Sequence, residues 1–123
     1  MGAVHSSTLP DGSPGGVACG YLLSDGAHSV YHAGDTALSV EFDLIGRMWT
    51  PDVALLPIGG TFTMGYADLP AAMDMLHCRQ VVGMHYDTFP PIEIDREEAV
   101  RTAKDAGGQL HLPDVGDTLD IPF

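Results

Sequence analysis

Two apolar runs limit the folds open to this chain. Residues 53–60 read VALLPIGG and residues 80–86 read QVVGMHY. Continuous apolar stretches of this length, closed by Pro and Gly or by His and Tyr, suit strands buried on both faces; a surface strand would alternate apolar with polar residues. Between them, YADLPAAMDMLHC (66–78) reads as a helix, with Asp68 as N-cap and Pro70 in the first turn. Buried strands separated by a helix point to a layered α/β fold.

The flanking segments extend the pattern. VACGYLLSD (17–25) is a strand, and DGAHSVYHAG follows as a turn and second strand, a hairpin with Asp25-Gly26 in its turn. TALSVEFDLIGRMW (36–49) places Leu38, Phe42 and Ile45 on one helical face and stops at Thr50-Pro51. DREEAVRTAKDAGG (95–108) is a helix capped by Asp95, with Glu97 and Glu98 in its first turn and Gly107-Gly108 at its end. QLHL (109–112) and DTLDI (117–121) read as short terminal strands, and MGAVHSSTLPDGSPGG (1–16) as a loop. The order β-β-α-β-α-β-α-β-β, without internal repeat or linker, predicts one α/β domain over residues 1–123.

Charge narrows the partners. The formal net charge is −12, with five Lys and Arg in all. Five cations do not make a phosphate-tracking patch, so nucleic acid is not expected as a partner. The same field repels an anionic membrane surface and attracts cations. No stretch approaches the roughly 20 apolar residues of a transmembrane helix, and the N-terminus lacks the basic and apolar regions of a signal peptide. Cys19 and Cys78 stand far apart and read as reduced thiols of a cytoplasmic protein.

Functional groups of α/β sheets gather where strands end. Three such places carry metal-capable side chains: His85 ends the 80–86 strand, Asp35 follows the hairpin in AGDT, and His5 lies in the opening loop. Imidazole with carboxylate suits zinc, iron or manganese. Taken singly, each has a plainer role: a hydrogen-bonded strand-end histidine, a turn aspartate, a loop histidine. There is no HExxH, CxxC or HxH, and His28, His32, His77 and His111 have weaker claims. Ser6, Ser7 and Thr8 lack a GxSxG elbow, Cys78 falls in a helical pattern, and no GKS or GKT follows PIGGTF.

Together, AVHSST, YHAGDTAL, PDVALLPIGGTFTMGYADLPAAM and VVGMHYDTFPPI resemble the metallo-β-lactamase superfamily, in its branch of cytoplasmic metal-dependent hydrolases related to ascorbate-6-phosphate lactonase-like proteins. The resemblance implies an αββα sandwich with a one- or two-metal site at one edge. It implies His5 as a ligand of the first metal, Asp35 as a bridging carboxylate and His85 as a ligand of the second. Thr36 and Thr88 would orient these ligands or fix their loops. The family's HxHxDH motif, which supplies four ligands, is absent, so the resemblance covers the C-terminal half of the sandwich.

The function implied is metal-dependent hydrolysis, with metal-activated water attacking an ester, lactone, amide or phosphoester of a small-molecule substrate. The alternatives are a non-catalytic half-domain remnant and one subunit of a split enzyme whose partner supplies HxHxDH. A divalent metal, zinc before manganese or iron, is expected to bind weakly to the isolated chain, which is expected to be inactive alone. An apolar sheet face left by the missing N-terminal half predicts a homodimer, sheet against sheet.

Overall fold

A computed structural model describes residues 1–123. One five-stranded sheet organises the chain, in the order β1-β2-β3-β4-β5. β1 (Tyr21–Ser24) and β2 (Ser29–His32) form the antiparallel hairpin. Its turn is held by the Asp25 carboxylate, which accepts from the backbone N–H groups of Ala27 (2.9 Å) and His28 (2.7 Å). β3 (Val53–Pro57), β4 (Gln80–Met84) and β5 (Gln109–His111) follow, and β2 through β5 pair in parallel. Parallel neighbours require crossovers, supplied by α1 (Glu41–Trp49), α2 (Leu69–Leu76) and α3 (Arg96–Asp105). None of these helices is long and apolar enough to cross a membrane.

The helices share one face of the sheet. Tyr31, Ala54, Leu56, Val81 and Leu110 are buried there with Phe42 and Ile45 of α1, Ala72, Met73 and Leu76 of α2, and Ala99 and Ala103 of α3. The opposite face carries Leu55, Val82 and Met84 half-buried, alternating with the core residues. The two apolar runs differ: β3 is buried on both sides except for half-buried Leu55, whereas β4 buries Val81 and Gly83 and leaves Gln80, Val82 and Met84 half-buried. DTLDI is not a strand. Residues 112–123 leave β5 as irregular chain, and Leu119, Ile121 and Phe123 line a hollow over Val30, Val53, Leu55 and Val82 on the helix-free face.

Element ends shift where tertiary contacts compete with helix formation. α1 begins at Glu41 rather than near Thr36. Backbone around Thr36 is committed elsewhere: its carbonyl accepts from Met64 N (2.9 Å), and Ala37 N donates to Val4 O (3.0 Å). The 66–78 segment divides into a 3₁₀ turn, Tyr66–Asp68, and α2. Asp68 accepts from Gly65 N (3.0 Å), ahead of the turn, instead of capping α2. Asp95 does cap α3, accepting from Glu98 N at 3.0 Å. The opening segment is more ordered than a loop reading implies: Gly2 bridges to Cys19, and Ala3 N bonds to Ala18 O at 3.1 Å.

Candidate metal centre

β4 ends at Met84, and His85 follows with φ +56. A left-handed conformation is uncommon for a residue with a Cβ and costs free energy, so it persists only where surrounding contacts enforce it. Those contacts are present. Ile58 N bonds to Met84 O at 3.0 Å, and Gly59 passes directly against the His85 backbone, where a Cβ would run into the His85 carbonyl oxygen. The third residue of the PIGG run, Gly59, is glycine because only bare backbone fits there.

Asp87, also left-handed at φ +61, closes the loop beyond. Its N–H donates to Ile92 O (2.9 Å), and its carboxylate accepts from Ile94 N (2.9 Å) and Arg96 Nε (2.7 Å). Those bonds, Arg96 first, hold the Asp87 carboxyl below the usual carboxylate range. Arg96 also lies over the Tyr86 ring, 5.3 Å from its centre. Thr88 is exposed, so the residue that visibly pins this loop is its neighbour Asp87. Local sequence did not expose the clamp, because Asp87 and Arg96 meet only after the intervening 3₁₀ turn folds back.

The hairpin delivers the second group. Gly34 (φ +66) turns the chain out of β2, and Asp35 follows. The Asp35 Oδ2 to His85 Nε2 distance is 3.7 Å, with both side chains partly exposed. That is too long for a hydrogen bond. Two N or O ligands on one zinc ion stand roughly 3.3 Å apart, given bonds of about 2.0–2.2 Å and tetrahedral angles. The other ring nitrogen, His85 Nδ1, is buried without a hydrogen-bond partner. A histidine that binds a metal through Nε2 normally bonds Nδ1 to a carbonyl or carboxylate, and no such partner meets this atom, so the fit rests on the pair of donors facing each other. Donor type and spacing thus fit part of the coordination of a divalent cation.

His5 reaches this neighbourhood through Thr36. The buried Thr36 hydroxyl accepts from Val4 N (2.9 Å) and donates to Ala37 O (2.8 Å), which ties the residue before His5 to the residue after Asp35. The His5 ring itself meets Ser6 O through Nδ1 at 2.6 Å. No three His, Cys, Asp or Glu side chains are gathered closely enough to hold an ion. The structure brings His85 and Asp35 together, and places the His5 segment alongside without its imidazole joining them.

The remaining histidines and thiols have other partners or places. Gly34 N donates to His32 Nδ1 (3.1 Å), His111 Nε2 meets Gln80 Oε1 (2.8 Å), and His77 ends α2 at φ +52. His28 lies against the Phe123 ring, with centroids 4.6 Å apart. Burial pushes the Cys78 thiol up, away from nucleophilic character. Beside His85 opens a cleft of about 390 Å³, lined by Tyr86, Asp87, Thr88, Arg96 and Asp114 among others.

Comparison with known proteins gives the family. Residues 2–85, which include His5, Asp35 and His85, match the model of the beta-lactamase superfamily domain. The chain belongs to that family. A relative from Methylacidiphilum infernorum, described as a UPF0173 metal-dependent hydrolase, is 47% identical over 117 residues, 95% of this chain and 52% of its own length. The solved structure of Igni18 from Ignicoccus hospitalis, described as a novel metallo hydrolase, superposes with TM-score 0.83 at 39% identity over 98% of this chain and 51% of that one. The metallo-β-lactamase fold protein YhfI from Bacillus subtilis superposes at TM-score 0.68 with 13% identity over 92% of this chain and 45% of its own, a likeness of fold alone. The superfamily fold is therefore the expected one, and the chain spans about half the length of the curated relatives it matches.

Proposed function

We propose that this chain carries part of the divalent-metal site of a hydrolase, with His85 and Asp35 as ligands and His5 joining from the neighbouring segment. The observation that carries the reading is the Asp35–His85 separation of 3.7 Å, too long for a hydrogen bond and close to the spacing of two ligands on one ion. Imidazole with carboxylate favours zinc, with manganese or iron as alternatives. When bound, the ion supplies a water that is nucleophilic near neutral pH and polarises the scissile oxygen of an ester, lactone, amide or phosphoester. The protein's own part is to fix the His85 ring through the Gly59 approach and the Asp87 clamp, and to hold Asp35 opposite it. The description of the relatives as metal-dependent hydrolases supports the same chemistry.

A zinc site takes three or four protein ligands. The ligands beyond this pair come from His5 and from outside these residues, either a second copy of the chain or a segment bearing HxHxDH. The isolated chain therefore binds metal weakly and does not hydrolyse generic esters. Cobalt(II) titration followed by visible absorption tests the site. His85→Ala and Asp35→Asn each weaken binding at least about tenfold, as expected for loss of a direct ligand, while His28→Ala leaves it unchanged. Equal cobalt affinity in all four proteins would refute the assignment.

A further inference from the structure

Asp35 stands between two tethered neighbours. After it comes Thr36, whose carbonyl accepts from Met64 N and whose hydroxyl accepts from Val4 N, both at 2.9 Å. Before it comes Gly34, at φ +66. Space as well as conformation demands glycine there, since a Cβ would lie 2.6 Å from the Cys19 carbonyl oxygen. Residues 18–20, which Gly34 passes so closely, also pair with residues 1–3. Ala3 N bonds to Ala18 O at 3.1 Å, and Gly20 N to Met1 O at 2.9 Å. The chain that leads to His5 and the chain that leads to Asp35 thus meet the same short segment.

Glycine alone does not aim the residue that follows it. Without a Cβ it adopts positive and negative φ about equally, so a further restraint is needed to fix where Asp35 goes. His32 supplies one. Gly34 N donates to His32 Nδ1 at 3.1 Å. A side-chain acceptor that takes the N–H two residues on closes the kind of turn that Asp and Asn make. His32 is half-buried and anchored at the end of β2, paired with Tyr21 on β1 and with Leu55 on β3. Ala33 N then bonds to Leu55 O at 3.0 Å. The restraint runs from the sheet, through an imidazole, to the residue before Asp35, whose Oδ2 lies 3.7 Å from His85 Nε2.

The same bond fixes the state of the ring. A backbone N–H only donates, so Nδ1 is the accepting nitrogen and the neutral ring carries its proton on Nε2. Neither nitrogen then offers a lone pair to a metal ion: one is engaged and the other is protonated. His32 also lines a different hollow from His85, shared with Cys19, Tyr21 and Leu23. Its place is beside the metal edge and its bond is to the backbone that carries a ligand.

We propose that His32 is a positioning residue of the metal site: by accepting the Gly34 N–H, its Nδ1 aims Asp35 at His85. The proposal rests on the metal-hydrolase reading. Its test compares His32→Asn, His32→Gln and His32→Phe in the full chain. Asn makes the same turn to the N–H two residues on, Gln carries its carbonyl one methylene farther out, and Phe has no acceptor. Hydrogen exchange of the Gly34 amide is read by NMR in the metal-free protein, and cobalt(II) affinity by visible absorption. In the Gln and Phe variants Gly34 exchange should quicken and cobalt affinity fall about fivefold, the effect of one ordinary hydrogen bond. In the Asn variant both should stay within about twofold of wild type, because the acceptor is restored. Slow Gly34 exchange in every variant, or undiminished cobalt affinity in the Gln and Phe variants, would overturn the proposal. So would an Asn variant as weak as the Gln variant, since the ring would then act by packing or as a ligand itself. The wild-type titration keeps the two readings apart. Failure of cobalt to bind wild type removes the metal assignment and the positioning role with it, whereas normal binding by wild type and by the Gln variant removes only the role of His32.

Discussion

Gly59→Ala should damage the fold and the metal site together. A Cβ at position 59 would enter the His85 carbonyl oxygen and stand 2.9 Å from Ile92 Cβ. Comfortable contacts begin near 3.5 Å, so one loop must retreat by roughly 1 Å. Overpacking of this kind costs about 1–3 kcal/mol. The adjacent bond from Ile58 N to Met84 O, 3.0 Å long, weakens with it and adds about 1 kcal/mol. A loss of about 2–4 kcal/mol is expected. Unfolding entropy of about 2.1 cal/mol/K per residue converts this to a fall in Tm of roughly 8–15 °C for a chain of this length. Because the displaced atom belongs to His85, cobalt affinity should fall in the same variant. Gly26→Ala is the control: φ there is +93 with nothing within 4 Å, so it carries about 1–2 kcal/mol of backbone strain and leaves cobalt binding intact. Thermal unfolding by circular dichroism and cobalt titration read both effects. A Gly59→Ala protein that melts within about 2 °C of wild type, an effect well under 1 kcal/mol, or that binds cobalt normally, refutes the close-approach argument.

Other residues give independent checks. Thr36→Val keeps the buried volume but removes the bonds to Val4 N and Ala37 O; stability should fall by about 1–3 kcal/mol, with faster hydrogen exchange at Val4, and unchanged exchange would show that the tether does not hold the His5 segment. Asp87→Asn removes the ion pair with Arg96 and should lower Tm at neutral pH. Since the folded Asp87 pKa is depressed, its contribution is complete above the ordinary carboxylate value of about 3.9 and disappears as pH falls through the lower folded value. The wild-type and variant melting curves should therefore converge in strong acid, and a gap that persists there contradicts the linkage. Tyr21 and Leu23, 63% and 61% exposed, extend the apolar helix-free face of Leu55, Val82 and Met84. Light scattering at micromolar concentration should give twice the mass of one chain, whereas a stable monomer that binds no hydrophobic dye counts against sheet-to-sheet pairing.

Sequence alone determined the order of strands and helices as far as β5, because its signals are local. Apolar runs marked β3 and β4, Asp25-Gly26 marked the hairpin, and Asp95 with Glu98 marked the start of α3. It also singled out His85 and Asp35, through the position of each at a strand end and through motif resemblance. Tertiary structure decided what depends on residues distant in the chain. The start of α1 moved from 36 to Glu41 because Thr36 is bonded to Val4 and Met64, which helical periodicity does not register. DTLDI alternates like a strand, yet its apolar residues lie over the helix-free face, with Leu119 still exposed, rather than pairing beside β5. The left-handed turn at His85, the Asp87–Arg96 clamp and the Phe62–Phe89 stack arise where the loops after β3 and β4 meet. No single stretch of sequence contains both sides of those contacts, so the geometry that makes His85 and Asp35 a candidate site exists only once the sheet has formed.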